Sequence, residues 1–134
     1  MSIENIELVR QVYTSVGLGL ADLRQLRPAF AADFELREAA SLPEAQTLRG
    51  PDALERWIEG YVAFFDDYTY VPREIEDLGD HVLVNALVRA RGKESGAETE
   101  MTAYNLWTVR HGKLCSCVTY LDREEALRAA EPKA

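Results

Sequence analysis

Residues 101–121, MTAYNLWTVRHGKLCSCVTYL, decide the fold. They read as two long strands joined at His111-Gly112, with Arg110 and Lys113 flanking the turn. A two-residue X-Gly connection between alternating segments is a strong hairpin signal, because glycine supplies the positive φ that a primed turn needs. Residues directly opposite then share a face. One face carries Ala103, Asn105, Trp107 and Val109 with Leu114, Ser116, Val118 and Tyr120. The other carries Tyr104, Leu106, Thr108 and Arg110 with Lys113, Cys115, Cys117 and Thr119. The first face is apolar and aromatic but holds an amide, a hydroxyl and a phenol. The second is too apolar to face water alone. Such a sheet calls for helices on one side and another subunit on the other.

Length and composition bound what the hairpin can belong to. A chain of 134 residues with 47% hydrophobic and 28% charged residues builds one domain, 1–134, with a real core. A formal net charge of −8 argues against nucleic acid or anionic membrane as partners. No apolar run approaches a membrane span, and the start MSIENIELVRQ is acidic and amphipathic, unlike a signal peptide. Cys115 and Cys117 sit two apart on one strand, which suits neither a disulfide nor, by itself, a metal site. They read as reduced thiols, and the protein as cytoplasmic.

Ahead of the hairpin, Ser2 is placed to cap a first helix in which Ile3, Ile6, Val9, Val12, Tyr13 and Val16 recur at helical spacing as far as Gly17. Tyr13 falls on the apolar stripe, as a core tyrosine or as a donor aimed into a cavity. A second helix starts at Asp22, where D-L-R-Q has the form of a capping box. Residues 33–38 alternate, so Phe34, Leu36 and Glu38 share a face. Glu38 is then either solvated at the strand's edge or an inward carboxylate fit to act as a base. Residues 39–49, with Pro43, read as a loop flanking a pocket. Gly50-Pro51-Asp52 opens a third helix whose stripe of Leu54, Trp57, Ile58, Tyr61, Phe64 and Phe65 is core or pocket lining.

From Tyr68 the chain turns β, and Pro72 restricts that strand to an edge or a bulge. Residues 81–91 form a long strand with Val82, Val84, Ala86, Val88 and Ala90 on one face. Asp122-Arg123-Glu124-Glu125 is a capping box for a short last helix, with Arg128 and Lys133 at its negative end. Of the chemical motifs there is no phosphate loop, no G-x-S-x-G and no H-E-x-x-H. His81 and His111 have no partner at ligand spacing, so neither a metal nor any other cofactor is expected.

The order of elements and several local motifs resemble the SnoaL-like proteins of the nuclear-transport-factor-2-like superfamily. These include ketosteroid isomerase, polyketide cyclases, limonene epoxide hydrolase and scytalone dehydratase. The motifs are F-A-A-D-F-E-L, R-G-P-D-A-L, L-G-D-H-V-L-V, R-G-K-E-S-G, W-T-V-R-H-G-K-L and Y-L-D-R-E-E-A-L, and they run through essentially the whole chain. The resemblance implies an α+β fold: a cone-shaped roll of three N-terminal helices on a strongly curved, mostly antiparallel sheet, with a short C-terminal helix. It also implies a site. Tyr13, in V-R-Q-V-Y, stands where the isomerase has its donor tyrosine, and Glu38 where it has its proton-moving aspartate. Asn105 stands near its protonated aspartate, and an amide donates without any pKa shift.

Two functions follow from that site. One is proton abstraction next to a carbonyl, with Glu38 as base and Tyr13 and Asn105 as oxyanion donors, on a small hydrophobic molecule held by Phe34, Trp57, Tyr61, Trp107 and Tyr120. The other is a binding or structural module of the same fold, its cone holding a hydrophobic ligand or filled by Trp57, Trp107 and Tyr120 themselves. Either is expected as a homodimer through the outer sheet face.

Overall fold

The computed structural model of the chain describes residues 2–42 and 44–131. The side chain of Ser2, expected as a cap, and Pro43 and Lys133 lie outside the described residues. Helices α1 (Ser2–Leu18), α2 (Leu20–Gln25) and α3 (Ala53–Phe64) pack on one face of a six-stranded sheet, and α4 (Arg123–Ala130) lies on the other. The strands are β1 (Phe30–Arg37), β2 (Thr47–Arg49), β3 (Phe65–Asp77), β4 (His81–Gly92), β5 (Glu98–Arg110) and β6 (Lys113–Tyr120). Their order is β2-β1-β6-β5-β4-β3, antiparallel except where β1 runs parallel to β6. This is the α+β cone expected from the sequence.

The local chemistry explains much of this. His111 (φ 52°) and Gly112 (φ 71°) both take positive φ, the demand of a type I′ turn. Pro72 sits on an edge strand, and the β3–β4 register shifts between Pro72 and Glu74. Asp122 caps α4 by accepting from the Glu124 N–H at 3.0 Å. At α2 the expected capping box does not form. The helix begins earlier, with Gly19 as its cap, and Asp22 lies inside the first turn. The loop expected over 39–49 contains the short strand β2, which pairs with the outer side of β1.

The largest difference lies in the opening hairpin. Thr108 pairs with Ser116 but Val109 with Leu114, so Cys115 is left over as a β-bulge. A slip of one residue moves every side chain beyond it to the other face. Cys117 and Thr119 therefore join Asn105 and Trp107 inside, while Ser116, Val118 and Tyr120 go outside. Tyr120 packs with Leu83, Leu106 and Ala126 beneath α4, so it does not line the interior of the cone. The cover that the outer face requires is supplied there by the chain's own last helix.

The core fills the cone between helices and sheet. Val9, Val12 and Tyr13 of α1, Leu23 of α2 and Leu54 and Ile58 of α3 meet Phe34, Val82, Val84, Trp107 and Leu114. Glu55, only 4% exposed, accepts from Arg27 Nε at 2.8 Å and lies 3.4 Å from Arg24 Nε. Two guanidiniums from α2 and the turn after it thereby pin α3 in place and compensate a charge that burial alone would penalise.

Candidate functional site

A cavity of about 50 Å³ lies inside the cone. Tyr13 from α1, Glu38 from just past β1, Trp57 from α3, Tyr68 and Tyr70 from β3, and Asn105, Trp107, Cys117 and Thr119 from the hairpin are among its walls. A second chamber of about 80 Å³ adjoins it and shares Glu38, Trp57, Tyr68, Tyr70 and Thr119, adding Tyr61, Leu42 and Met101. Each is small beside the roughly 300–1,000 Å³ of pockets for drug-sized ligands. As they stand they take a group of a few heavy atoms, not a polycyclic molecule.

Glu38 points inward. Its Oε1 accepts from the Gln46 N–H at 2.9 Å, and its Oε2 accepts from Trp57 Nε1 at 2.9 Å and from the Tyr61 hydroxyl at 3.2 Å. The alternation of β1 aims the residue, and α3 presents Trp57 and Tyr61 one turn apart to hold it. Burial first, then the charge of Glu38, pushes the Tyr61 phenol up to about 12, so Tyr61 stays a neutral donor.

Deeper in, a directional chain of hydrogen bonds crosses the cavity floor. The Trp107 indole can only donate, and it does so to the Tyr13 hydroxyl at 2.9 Å. Tyr13 donates in turn to Asn105 Oδ1 at 2.7 Å, and Asn105 Nδ2 donates to Thr119 Oγ1 at 2.9 Å. Desolvation drives the Tyr13 phenol far above its ordinary range, and it does the same to Tyr68 and Tyr70. Buried Cys117 is likewise held as a neutral thiol. Three phenols, a thiol, an amide and a hydroxyl thus face one apolar space that holds a single carboxylate. Arg37, at the rim, is engaged by Glu35.

The structure therefore brings together Glu38, Tyr13, Asn105, Trp57 and Trp107, as expected, with Tyr61 in the outer chamber only. It excludes Phe34, which is fully buried behind Trp107 with the rings stacked at 6.2 Å and lines neither chamber. Sequence reasoning missed Tyr68 and Tyr70, although Y-T-Y alternation put both on one face. It missed Cys117 and Thr119 because nothing local announced the bulge. The protons of Tyr13 and Asn105 are committed to Asn105 and Thr119 rather than aimed into the cavity. Among the described residues, no group of three or more His, Cys, Asp or Glu side chains is arranged to hold a metal.

A curved sheet closing on three helices over an aromatic, phenol-rich cavity defines the nuclear-transport-factor-2-like cone. Residues 9–117 match the SnoaL-like domain, and the chain belongs to that family. Among solved structures it is similar to an NTF2-like protein of Burkholderia thailandensis, at 23% identity with a TM-score of 0.76 over 95% of this chain and 97% of that one. An NTF2-like protein of Burkholderia xenovorans is 26% identical, with a TM-score of 0.75 over 98% of each chain. A protein of Catenulispora acidiphila with a ketosteroid isomerase-like fold, solved in complex with trimethylamine, is 19% identical, with a TM-score of 0.72 over 92% of each chain. Comparison with curated proteins gave no match.

Proposed function

We propose that this chain takes a small, largely apolar organic molecule into the cone and that Glu38 is the group that meets it. The observation that carries this reading is the placement of Glu38. It is the one carboxylate lining the cavity, held from three sides among apolar walls. The SnoaL-like fold and the small molecule in the Catenulispora relative support the same reading.

The reaction this arrangement supports is proton transfer next to a carbonyl, as an isomerase or cyclase performs it. Glu38 takes the proton, and Tyr13 meets the developing oxyanion once its own proton is released. A turn of the Asn105 amide achieves that release. With Nδ2 facing Tyr13, the phenol accepts from both Trp107 and Asn105 and its proton is free to point into the cavity. Thr119 then donates where it formerly accepted. Glu38→Gln should lower α-proton exchange of small cyclic ketones, followed by NMR, by about 10²–10⁴-fold. Unchanged exchange in a folded Glu38→Gln protein would remove Glu38 as the base.

A second reading, binding without turnover, is favoured by the committed donors and the small chambers. It predicts ligands that raise the melting temperature of the wild-type protein while no exchange occurs with any ketone.

A further inference from the structure

Five of the donors around the cavity are used up within the protein. Trp57 and Tyr61 donate to Glu38, Trp107 to Tyr13, Tyr13 to Asn105, and Asn105 to Thr119. What the two chambers still offer a ligand is the Glu38 carboxylate, the hydroxyls of Tyr68 and Tyr70, and the π-systems of Trp57, Tyr68 and Tyr70. Those rings stand together: Trp57 and Tyr68 have centroids 6.4 Å apart, Trp57 and Tyr70 6.2 Å, and Tyr68 and Tyr70 6.4 Å. Tyr61 adds a fourth ring, 4.4 Å from Trp57. A carboxylate among electron-rich rings repels anions. It attracts a weakly hydrated cation, whose charge both the carboxylate and the ring quadrupoles stabilise. The rim cation, Arg37, is occupied by Glu35, and the chain's net charge of −8 draws cations toward the opening.

We infer that the molecule bound here is a small organic cation, an alkylammonium compound whose charged head sits against Glu38 and the rings of Trp57, Tyr68 and Tyr70. The inference rests on the pocket reading above and makes Glu38 an anchor for charge. Size agrees with it: chambers of about 50 and 80 Å³ accept a methylated ammonium head and leave no room for a polycycle. Dispersion against the same rings would hold a neutral isostere too, but without the charge component.

The test compares tetramethylammonium chloride, trimethylammonium chloride, tert-butanol and cyclohexanone as probes of the full chain. The readout is the two tryptophan indole N–H resonances, with Trp57→Phe assigning them. The expected result is saturable displacement of the Trp57 signal by the ammonium probes, at least tenfold tighter than by tert-butanol, with a tenfold or greater loss in Glu38→Gln. Because the probe comparison is made on the wild-type protein, it stands even where Glu38→Gln fails to fold. Equal or tighter binding of tert-butanol or cyclohexanone overturns the cation assignment and leaves the pocket reading intact. No displacement of either indole by any probe overturns both.

Discussion

Glu38 shows how one side chain acquires a role through its neighbours. On β1's alternation alone it is the end of an apolar row; Trp57 and Tyr61 from α3 turn it into an oriented acceptor at a cavity mouth. Tyr13 and Asn105 illustrate the converse. The cavity collects both, yet their protons are committed inside the chain Trp107–Tyr13–Asn105–Thr119, so their readiness as donors depends on which way one amide faces. At the same scale His81 carries a pH dependence. Burial first lowers its pKa from the usual 6.5, with Asp80 opposing and Arg110 adding, and Thr108 Oγ1 lies 3.1 Å from its Nδ1. The unfolded chain therefore takes up this proton before the folded one does. The stabilisation is fully present above about pH 6.5 and is lost as pH falls toward the lowered native value. Denaturant midpoints across that range should fall more steeply with acid in the wild-type protein than in His81→Asn; superimposable curves would dismiss the effect.

At the scale of elements, the bulge at Cys115 decides the composition of the site. Up to Thr108 and Ser116 a simple two-residue hairpin describes β5 and β6 correctly in kind, but the extra residue exchanges the faces beyond it. Cys117 and Thr119 thereby enter the cavity and Tyr120 leaves it for the contact with α4. Deleting Cys115 removes the bulge but leaves Ser116 opposite Thr108 and Cys117 opposite Trp107, so every side chain beyond it keeps its face. The expected outcome is a protein that keeps its cooperative thermal transition, since no core residue is misplaced and only the local twist of the bulge is lost. A variant without a cooperative transition would show that the bulged backbone itself is required. The elements themselves were largely legible. H-G marked the turn, Pro72 the edge strand and Asp122 the cap of α4, because each acts through bonds within a few residues. Neither the bulge nor β2 was legible, since each depends on a partner strand far away in sequence.

For the whole molecule, the sheet has two unlike faces. The inner one meets α1, α2 and α3 and encloses the cavity. The outer one is covered by α4 only where Leu83, Leu106, Tyr104 and Tyr120 cluster. Beyond α4 the pairing aligns Val71, Leu87 and Thr102 in a row, with Val71 50% exposed, and Asn85 Oδ1 nearby is buried without a hydrogen-bond partner. A second copy seated on this remainder would cover the row and offer Asn85 a donor, so the homodimer expectation is retained as a proposal for a smaller surface than the hairpin first implied. Sedimentation equilibrium at micromolar concentration should give twice the mass of 15.1 kDa, and a Val71→Arg variant should give that mass itself. A wild-type protein sedimenting at 15.1 kDa would refute the dimer. No helix among the described residues is long and apolar enough to cross a membrane.

The sequence by itself determined the hairpin turn and the run of helices and strands, and through its resemblance to SnoaL-like proteins it implied the α+β cone and a site of Tyr13, Glu38 and Asn105. Periodicity, caps and turn residues act locally and leave their signature in neighbouring letters. Only the tertiary structure decided which face each residue of β6 presents, that Phe34 lies behind Trp107 rather than in the cavity, and that Tyr68 and Tyr70 complete the wall. It also decided how much room is left and where the donor protons go. Those depend on register, on packing volume and on hydrogen bonds between residues as far apart as Tyr13 and Asn105, which no stretch of chain specifies alone. The hairpin at 101–121 thus fixed the fold through its turn, and its bulge fixed the site.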